Sequence, residues 1–179
     1  MGEPITAHPP RPPFCLTIGV VGHRPDRLPL EGRLRVIAQV NATFALLANT
    51  ARSVSERYGQ FFAEGSPALR VISALAEGAD QIGASGGLEN GFSLTAVLPF
   101  AAEDYRRDFK QQSSNQEFER LLGLAETTTV LPGCRDIEAA AYETAGLTIV
   151  DNSDLLLAVW DGEGPAGWGG TIEFIEYAA

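Results

Sequence analysis

The chain is poor in positive charge and has no long hydrophobic segment, and each shortage excludes a class of protein. It has 13 Lys and Arg residues against 23 Asp and Glu, which gives a formal net charge of −10 over 179 residues. Because neutralising phosphates requires a basic face, we expect no general binding of DNA or RNA. No apolar run approaches the roughly 18 residues of a membrane-spanning helix, so no membrane contact is expected from this segment.

Cysteine is also scarce, with one residue in the first apolar run and one after a Pro-Gly turn. These residues, Cys15 and Cys134, show no short-range pairing. Such usage predicts reduced thiols in a cytoplasmic protein rather than a disulfide framework. Neither cysteine lies in a metal-ligand pattern, and we expect no metal site and no cofactor.

The composition predicts one folded domain preceded by an unpacked arm. Residues 1–13 contain five of the 11 prolines and no apolar periodicity, as in an extended proline-rich arm. Residues 14–179 are expected to fold as one domain. A doubly wound sheet would ordinarily add another strand after the last short helix, so we expect an excerpt of a longer chain or another element covering that sheet edge.

Strand-like and helix-like segments alternate along the folded part. Continuous apolar or β-branched runs predict strands at 14–21, 69–75, 93–98, 127–131 and 155–160. Helical periodicity follows each run, so we predict an α/β fold with a doubly wound, mostly parallel Rossmann-like sheet and helices on both faces. The run at 155–160 is expected to be a buried strand. Gly86-Gly87 and Asn90-Gly91 are expected to close the second helix, and Ser114 with Glu117 has capping-box spacing.

Four loops follow predicted strand ends and should therefore lie along one edge of the sheet. They are 22–24, 77–80, 99–100 and 167–171. In an open α/β sheet such loops converge on a crevice at the point where the strand order reverses. This crevice is the predicted ligand site.

The last loop is typical of a phosphate site. Gly169, Gly170 and Thr171 offer backbone N–H groups, and a hydroxyl, directly before a helix whose dipole favours negative charge. The alternative is that these glycines only form a tight turn. Arg24 follows the first strand and can pair with phosphate, or instead form a salt bridge with Asp26.

The other candidate ligand-binding residues are Gly22, His23, Gly78, Asp80, Pro99 and Asp161. Asp80 can accept hydrogen bonds from ribose hydroxyls or simply favour the helix dipole. His23 can contact ligand or hold its turn, and Asp161 can orient substrate or cap local N–H groups. Gly78 has no side chain and so allows a close approach of the backbone.

Glu173 is the candidate catalytic residue. It lies in the first turn after the glycine loop, where a carboxylate can act as base or nucleophile at a sugar carbon. Compensation of the helix dipole is the alternative role.

The order of these segments resembles the SLOG superfamily. The resemblance rests on Gly22-His23-Arg24, Ala76-Glu77-Gly78-Ala79-Asp80, Val97-Leu98-Pro99-Phe100 and the segment from Ser153 to Thr171, and it spans nearly all of the chain after Phe14. That group is similar in fold to the lonely-guy phosphoribohydrolases and to the Rossmann-like domain of bacterial DNA-processing proteins. The resemblance implies a nucleotide-binding domain of sensor type. It leaves open a homodimer and an effector domain outside this segment.

Two enzyme families match the end of the chain imperfectly. The lonely-guy motif Pro-Gly-Gly-x-Gly-Thr-x-x-Glu places its catalytic glutamate at Phe174, and so does the Gly-Thr…Glu-Ile-Gly-Tyr-Ala segment of nucleoside deoxyribosyltransferases. Our first hypothesis is therefore a non-catalytic domain that binds a nucleotide or a nucleotide derivative. The second is an enzyme that cleaves an N-glycosidic bond through Glu173, and the third is an interaction domain with an empty crevice.

Overall fold

The computed structural model describes residues 9–28, 30–163 and 170–179, and its strands and helices alternate. The strands are β1 (Cys15–Gly22), β2 (Ala68–Ser73), β3 (Ser93–Leu98), β4 (Thr127–Val130) and β5 (Leu155–Val159). The helices are α1 (Leu30–Arg57), α2 (Ala79–Glu89), α3 (Ala102–Tyr105), α4 (Gln112–Leu124), α5 (Glu138–Asp151) and α6 (Thr171–Ala178). Short 3₁₀ turns at Pro25–Arg27, Gly59–Phe61, Arg106–Asp108 and Arg135–Ile137 connect them.

The five strands form one sheet in the order β4-β3-β2-β1-β5, and every pairing is parallel. This arrangement confirms the predicted Rossmann-like α/β class. Because β1 pairs with both β2 and β5, the strand order reverses between β1 and β5. The predicted buried strand at 155–160 is instead an edge strand, in which Leu155 is 49% exposed.

Helices cover both faces of the sheet, as the alternation of strand side chains requires. Val20 and Val71 belong to the larger core cluster, under α1, α2 and α4. Their neighbours Val21 and Ile72 belong to a second cluster with residues of α5 and α6. Successive strand residues point to opposite faces, so one hydrophobic run supplies both cores.

Helix α2 lies unusually close to the sheet. A Cβ at Gly87 would lie 2.7 Å from Cγ1 of Val71, and one at Gly83 would clash with the side chain of Val20. The predicted closure of this helix is wrong for Gly86 and Gly87, which lie inside it, and correct for Asn90-Gly91, because Asn90 is its C-cap. At Gly86 and Gly87 the lack of a side chain serves packing rather than termination.

The capping-box prediction at the fourth helix is also wrong. Helix α4 begins at Gln112, two residues before Ser114, and has no side-chain cap. Ser114 is buried inside the helix, where its carbonyl accepts a hydrogen bond from Nε2 of Gln81 at 3.0 Å. Burial against α2 thus decides the position of Ser114.

Two classes of feature are missing from the described ranges. None of the helices there combines the length and hydropathy needed to cross a bilayer. No group of three or more His, Cys, Asp or Glu side chains among those residues could hold a metal ion. The proline-rich arm stays a prediction, because residues 1–8 lie outside the described residues. In the described part of the arm, the carbonyl of Pro12 accepts a hydrogen bond from the N–H of Ala63 at 2.9 Å.

Candidate functional site

The carboxyl ends of β1 and β5 lie side by side, and backbone hydrogen bonds fix the loop after β1. Gly22 pairs with Val159, and the N–H of His23 donates to the carbonyl of Val159 at 3.0 Å. The carbonyl of His23 accepts from the N–H of Ala79 at the start of α2, also at 3.0 Å. The loop is thereby held to both β5 and α2 at the point where the strand order reverses.

Two glycines allow this close arrangement. A Cβ at Gly22 would lie 2.5 Å from the Cβ of Ala79 and 2.7 Å from the carbonyl oxygen of Val159. Gly78 has a φ of +105°, and a Cβ there would lie 2.6 Å from the carbonyl oxygen of His23. The close approach predicted for Gly78 is therefore to the chain's own backbone, at a conformation that favours glycine.

A cavity of about 260 Å³ opens at this edge of the sheet, and residues of β1, the β2–α2 loop, α2, α3, α5 and α6 line it. Four of the predicted site residues meet there: Gly22, Arg24, Asp80 and Thr171. Pro99 is not among the lining residues. Tyr105, from the helix that follows it, lines the cavity instead.

Arg24 supplies the positive charge of the cavity. It is half-buried, and its Cζ lies 5.4 Å from the ring centroid of Tyr142. Within the described residues it forms no ion pair, so the alternative salt bridge with Asp26 is not formed. Burial alone would lower the pKa of Arg24, but Tyr105 and Tyr142 outweigh that effect and the net pKa is raised. The guanidinium is therefore a cation available to an anionic ligand.

Asp80 is a buried acid in the first turn of α2. Its residue is 7% exposed, and Oδ2 accepts one long hydrogen bond of 3.4 Å from the N–H of Ala76. Burial raises the pKa of Asp80 to about 7, against the lowering effects of the Ala76 N–H and of Arg24. This carboxyl therefore changes charge near neutral pH.

Two tyrosines complete the polar lining, and sequence reasoning did not identify either. Tyr105 is 0% exposed, and its hydroxyl has no hydrogen-bond partner within the described ranges. Tyr142 donates its hydroxyl to the carboxylate of Asp108, which also pairs with Arg135. Burial, followed by that hydrogen bond, raises the pKa of Tyr142 to about 12. The one sequence signal for Tyr142 is its helical spacing from Ala145, another lining residue of α5.

Thr171 brings the start of α6 to the cavity. Gly170 is the N-cap of this helix, and Oγ1 of the buried Thr171 lies 3.4 Å from Nδ1 of His23. His23 is itself buried behind the cavity lining, so its ring holds the turn against Thr171. Gly169 and the preceding residues of the predicted glycine loop lie outside the described residues.

Asp161 is engaged by protein groups. Arg27 donates to both of its carboxylate oxygens, at 2.9 and 2.8 Å, and the N–H of Glu163 donates at 3.0 Å. Nε2 of His23 also lies 3.0 Å from Oδ1. The Glu163 N–H, then His23 and Arg27, lower the pKa of Asp161 to about 2. These contacts favour the local capping role over substrate orientation.

Phe174 forms an apolar wall of the cavity. Its ring lies directly over Gly146 of α5, where a Cβ would overlap it. Glu173, the candidate catalytic residue, is partly exposed and is not among the residues that line the cavity. The wall at this point of α6 is therefore a phenyl ring and not a carboxylate.

Comparison with known proteins supports the fold and nothing finer. No protein-family model matches the sequence, and no curated protein sequence matches it at a significant level. Among solved structures, the X-ray structure of DNA processing protein A from Streptococcus pneumoniae is similar, with a TM-score of 0.55 and 15% sequence identity. The likeness covers 92% of this chain and 47% of that protein, so this chain spans about half of its length. The two proteins share a Rossmann-like parallel fold.

Proposed function

We propose that this chain is a sensor-type domain that binds a nucleotide or nucleotide derivative through its phosphate, in the crevice between the ends of β1 and β5. One observation carries the proposal: Arg24 is half-buried beside the cavity and forms no ion pair within the described residues. A half-buried guanidinium without a direct ion-pair partner can form charge-assisted hydrogen bonds with a bound phosphate.

The start of α6 supports an anion at the same place. Thr171, the first residue of α6, lines the same cavity as Arg24. A helix N-terminus carries partial positive charge, which adds to that of the guanidinium. Since the whole chain has a net charge of −10, an anion gains nothing from the long-range field and must be held by such local groups.

The wider resemblance fits this proposal. The SLOG-like order of the four strand-end segments and the shared fold with a DNA processing protein both favour a nucleotide-type ligand. The acidic charge disfavours a long nucleic acid, because a strand of phosphates needs many cations. Phe174 in the cavity wall, with Glu173 outside the lining, favours binding over N-glycosidic cleavage.

Ligand-dependent stabilisation tests the proposal. We expect nucleoside monophosphates, nucleoside diphosphates, cyclic nucleotides or ADP-ribose, screened at millimolar concentration, to raise the Tm, and uncharged nucleosides to leave it unchanged. A ligand present at 100 times its Kd stabilises the native state by about 2.7 kcal/mol. Arg24→Gln should abolish the response. Arg107→Gln is the matched control, because the side chain of Arg107 is 72% exposed and neither it nor its partner Asp104 lines the cavity.

Three results would contradict the proposal. The first is no stabilisation by any phosphate-bearing ligand in the screen. The second is an equal response in Arg24→Gln and Arg107→Gln. The third is release of free base from a nucleotide that is lost in Glu173→Gln, which would establish the enzyme hypothesis instead.

A further inference from the structure

We propose that Asp80 and Tyr105 form a sugar-hydroxyl site at the inner end of the cavity, which makes the domain selective for ribose-containing over 2′-deoxyribose-containing phosphate esters. This inference rests on the proposed function, because the phosphate on Arg24 brings the sugar to these groups. It extends the proposed function by naming the class of ligand and two side chains that determine specificity.

Asp80 is the acceptor of this site. Its Oδ2 has a single long hydrogen bond to the N–H of Ala76, and no donor among the described residues reaches Oδ1. The side chain lines the cavity although the residue is almost fully buried. A carboxylate oxygen that lines a cavity and has no protein donor can accept a hydrogen bond from a ligand hydroxyl.

Tyr105 is the second polar group. Its hydroxyl is completely buried at the cavity wall and has no partner in the part of the chain that the structure describes. Edge-on contacts with Phe100, Phe109 and Phe118, at centroid distances of 5.7, 5.2 and 5.8 Å, fix its ring. The hydroxyl oxygen is therefore held in place at the cavity wall. A tyrosine hydroxyl both donates and accepts, as a sugar hydroxyl does, so the two groups complement each other.

The size of the cavity decides which part of a nucleotide fits. Small-molecule sites commonly measure about 300–1,000 Å³, and this cavity of about 260 Å³ lies below that range. It suits a sugar with its phosphate better than a complete nucleotide. Arg24 interacts electrostatically with both Asp80 and Tyr105, so a phosphate held by Arg24 leaves its sugar beside them.

The test compares ligands that differ by one hydroxyl. Affinities of adenosine 5′-monophosphate, its 2′-deoxy analogue and ribose 5-phosphate are measured by calorimetry, with inorganic phosphate as the probe of the anion site alone. We expect the wild type to prefer the ribose form by about tenfold or more, as sites built around a hydroxyl do. Tyr105→Phe and Asp80→Asn should lose that preference and keep the wild-type affinity for inorganic phosphate. Tyr58→Phe, which removes an exposed hydroxyl, should keep both properties.

The possible failures are distinguishable. Equal affinity of the wild type for the ribose and deoxyribose forms overturns the sugar-hydroxyl site but leaves phosphate binding intact. A preference that survives in both Tyr105→Phe and Asp80→Asn overturns the assignment to these residues. Absence of binding by every phosphate-bearing ligand overturns the proposed function itself. Tyr105→Phe keeps the buried ring, so it reports on the hydroxyl even where Asp80→Asn fails to fold.

Discussion

Glycine allows close packing on both faces of the sheet, but against a different partner on each face. On one face, Gly83 and Gly87 bring α2 directly against side chains of β1 and β2. On the other, Gly146 of α5 receives the ring of Phe174 from the neighbouring helix α6. Glycine closes the space between helix and sheet in the first case. In the second it lets two helices pack together, and the cavity remains between them and the strand ends.

Truncating one phenylalanine in each core should give the largest difference between the faces. Phe118 is 0% exposed in the larger cluster, whereas Phe174 already borders the cavity. We expect Phe118→Ala to lower the free energy of unfolding by about 3–5 kcal/mol, the usual cost of such a cavity. Phe174→Ala should cost less, because part of its surroundings is empty. Urea unfolding of both variants measures this, and equal losses would show that the faces are packed alike.

Asp80, which lines the cavity, gives the stability of the protein a pH dependence. The native pKa of about 7 lies above the ordinary value of 3.8, so between these pH values the native state binds the proton and the unfolded state does not. The free energy of unfolding is therefore highest at the acidic end and falls as pH rises towards 7, by at most about 1.4 kcal/mol per pH unit. The contribution of Asp80 is the difference between the free energies of unfolding of the wild type and of Asp80→Asn, measured across this pH range. A difference that is flat with pH would contradict it.

The convergence of Gly22, Arg24, Asp80 and Thr171 could be predicted from sequence. The reason is topological: parallel strands joined by right-handed crossovers place every strand-to-helix loop at one edge. The sequence predicts the strand positions to within one or two residues, because β1, β2, β3 and β5 are largely apolar runs and β4 is a β-branched one. Strand order is not encoded in such runs, so the exposed edge position of β5 was missed.

The tyrosines could not be predicted, because their place depends on contacts between distant helices. Tyr105 and Tyr142 reach the cavity only once α3 and α5 have packed at the ends of the strands. Asp161 differs from the tyrosines, because its position is predictable from sequence and its contacts are not. Its position after β5 was predicted, but its pairing with Arg27 depends on a turn that no local pattern specifies.

Adding one methyl group to α2 should have a moderate effect on stability. The new Cβ in Gly83→Ala meets Val20, a stiff side chain held in the sheet, and overpacking of this kind costs about 1–3 kcal/mol. Gly123→Ala is the matched control, because Gly123 lies in α4 with nothing within 4 Å of the added atom. There the better helix propensity of alanine should stabilise the protein by up to about 1 kcal/mol. Equal stabilisation of both variants would show that α2 is not close-packed.

The same substitution in α5, at Gly146, should change stability least and ligand binding most. In Gly146→Ala the new methyl group occupies the space of the Phe174 ring, which has the adjoining cavity to move into. Displacing a ring into empty space forms new apolar contacts, so the loss of stability should be smaller than in Gly83→Ala. A ring in the cavity excludes the ligand, however, and the Tm of the variant should no longer respond to the phosphate ester that stabilises the wild type. Gly83→Ala, although less stable, should respond normally. If Gly146→Ala keeps the response, the ligand does not occupy the space beside Phe174.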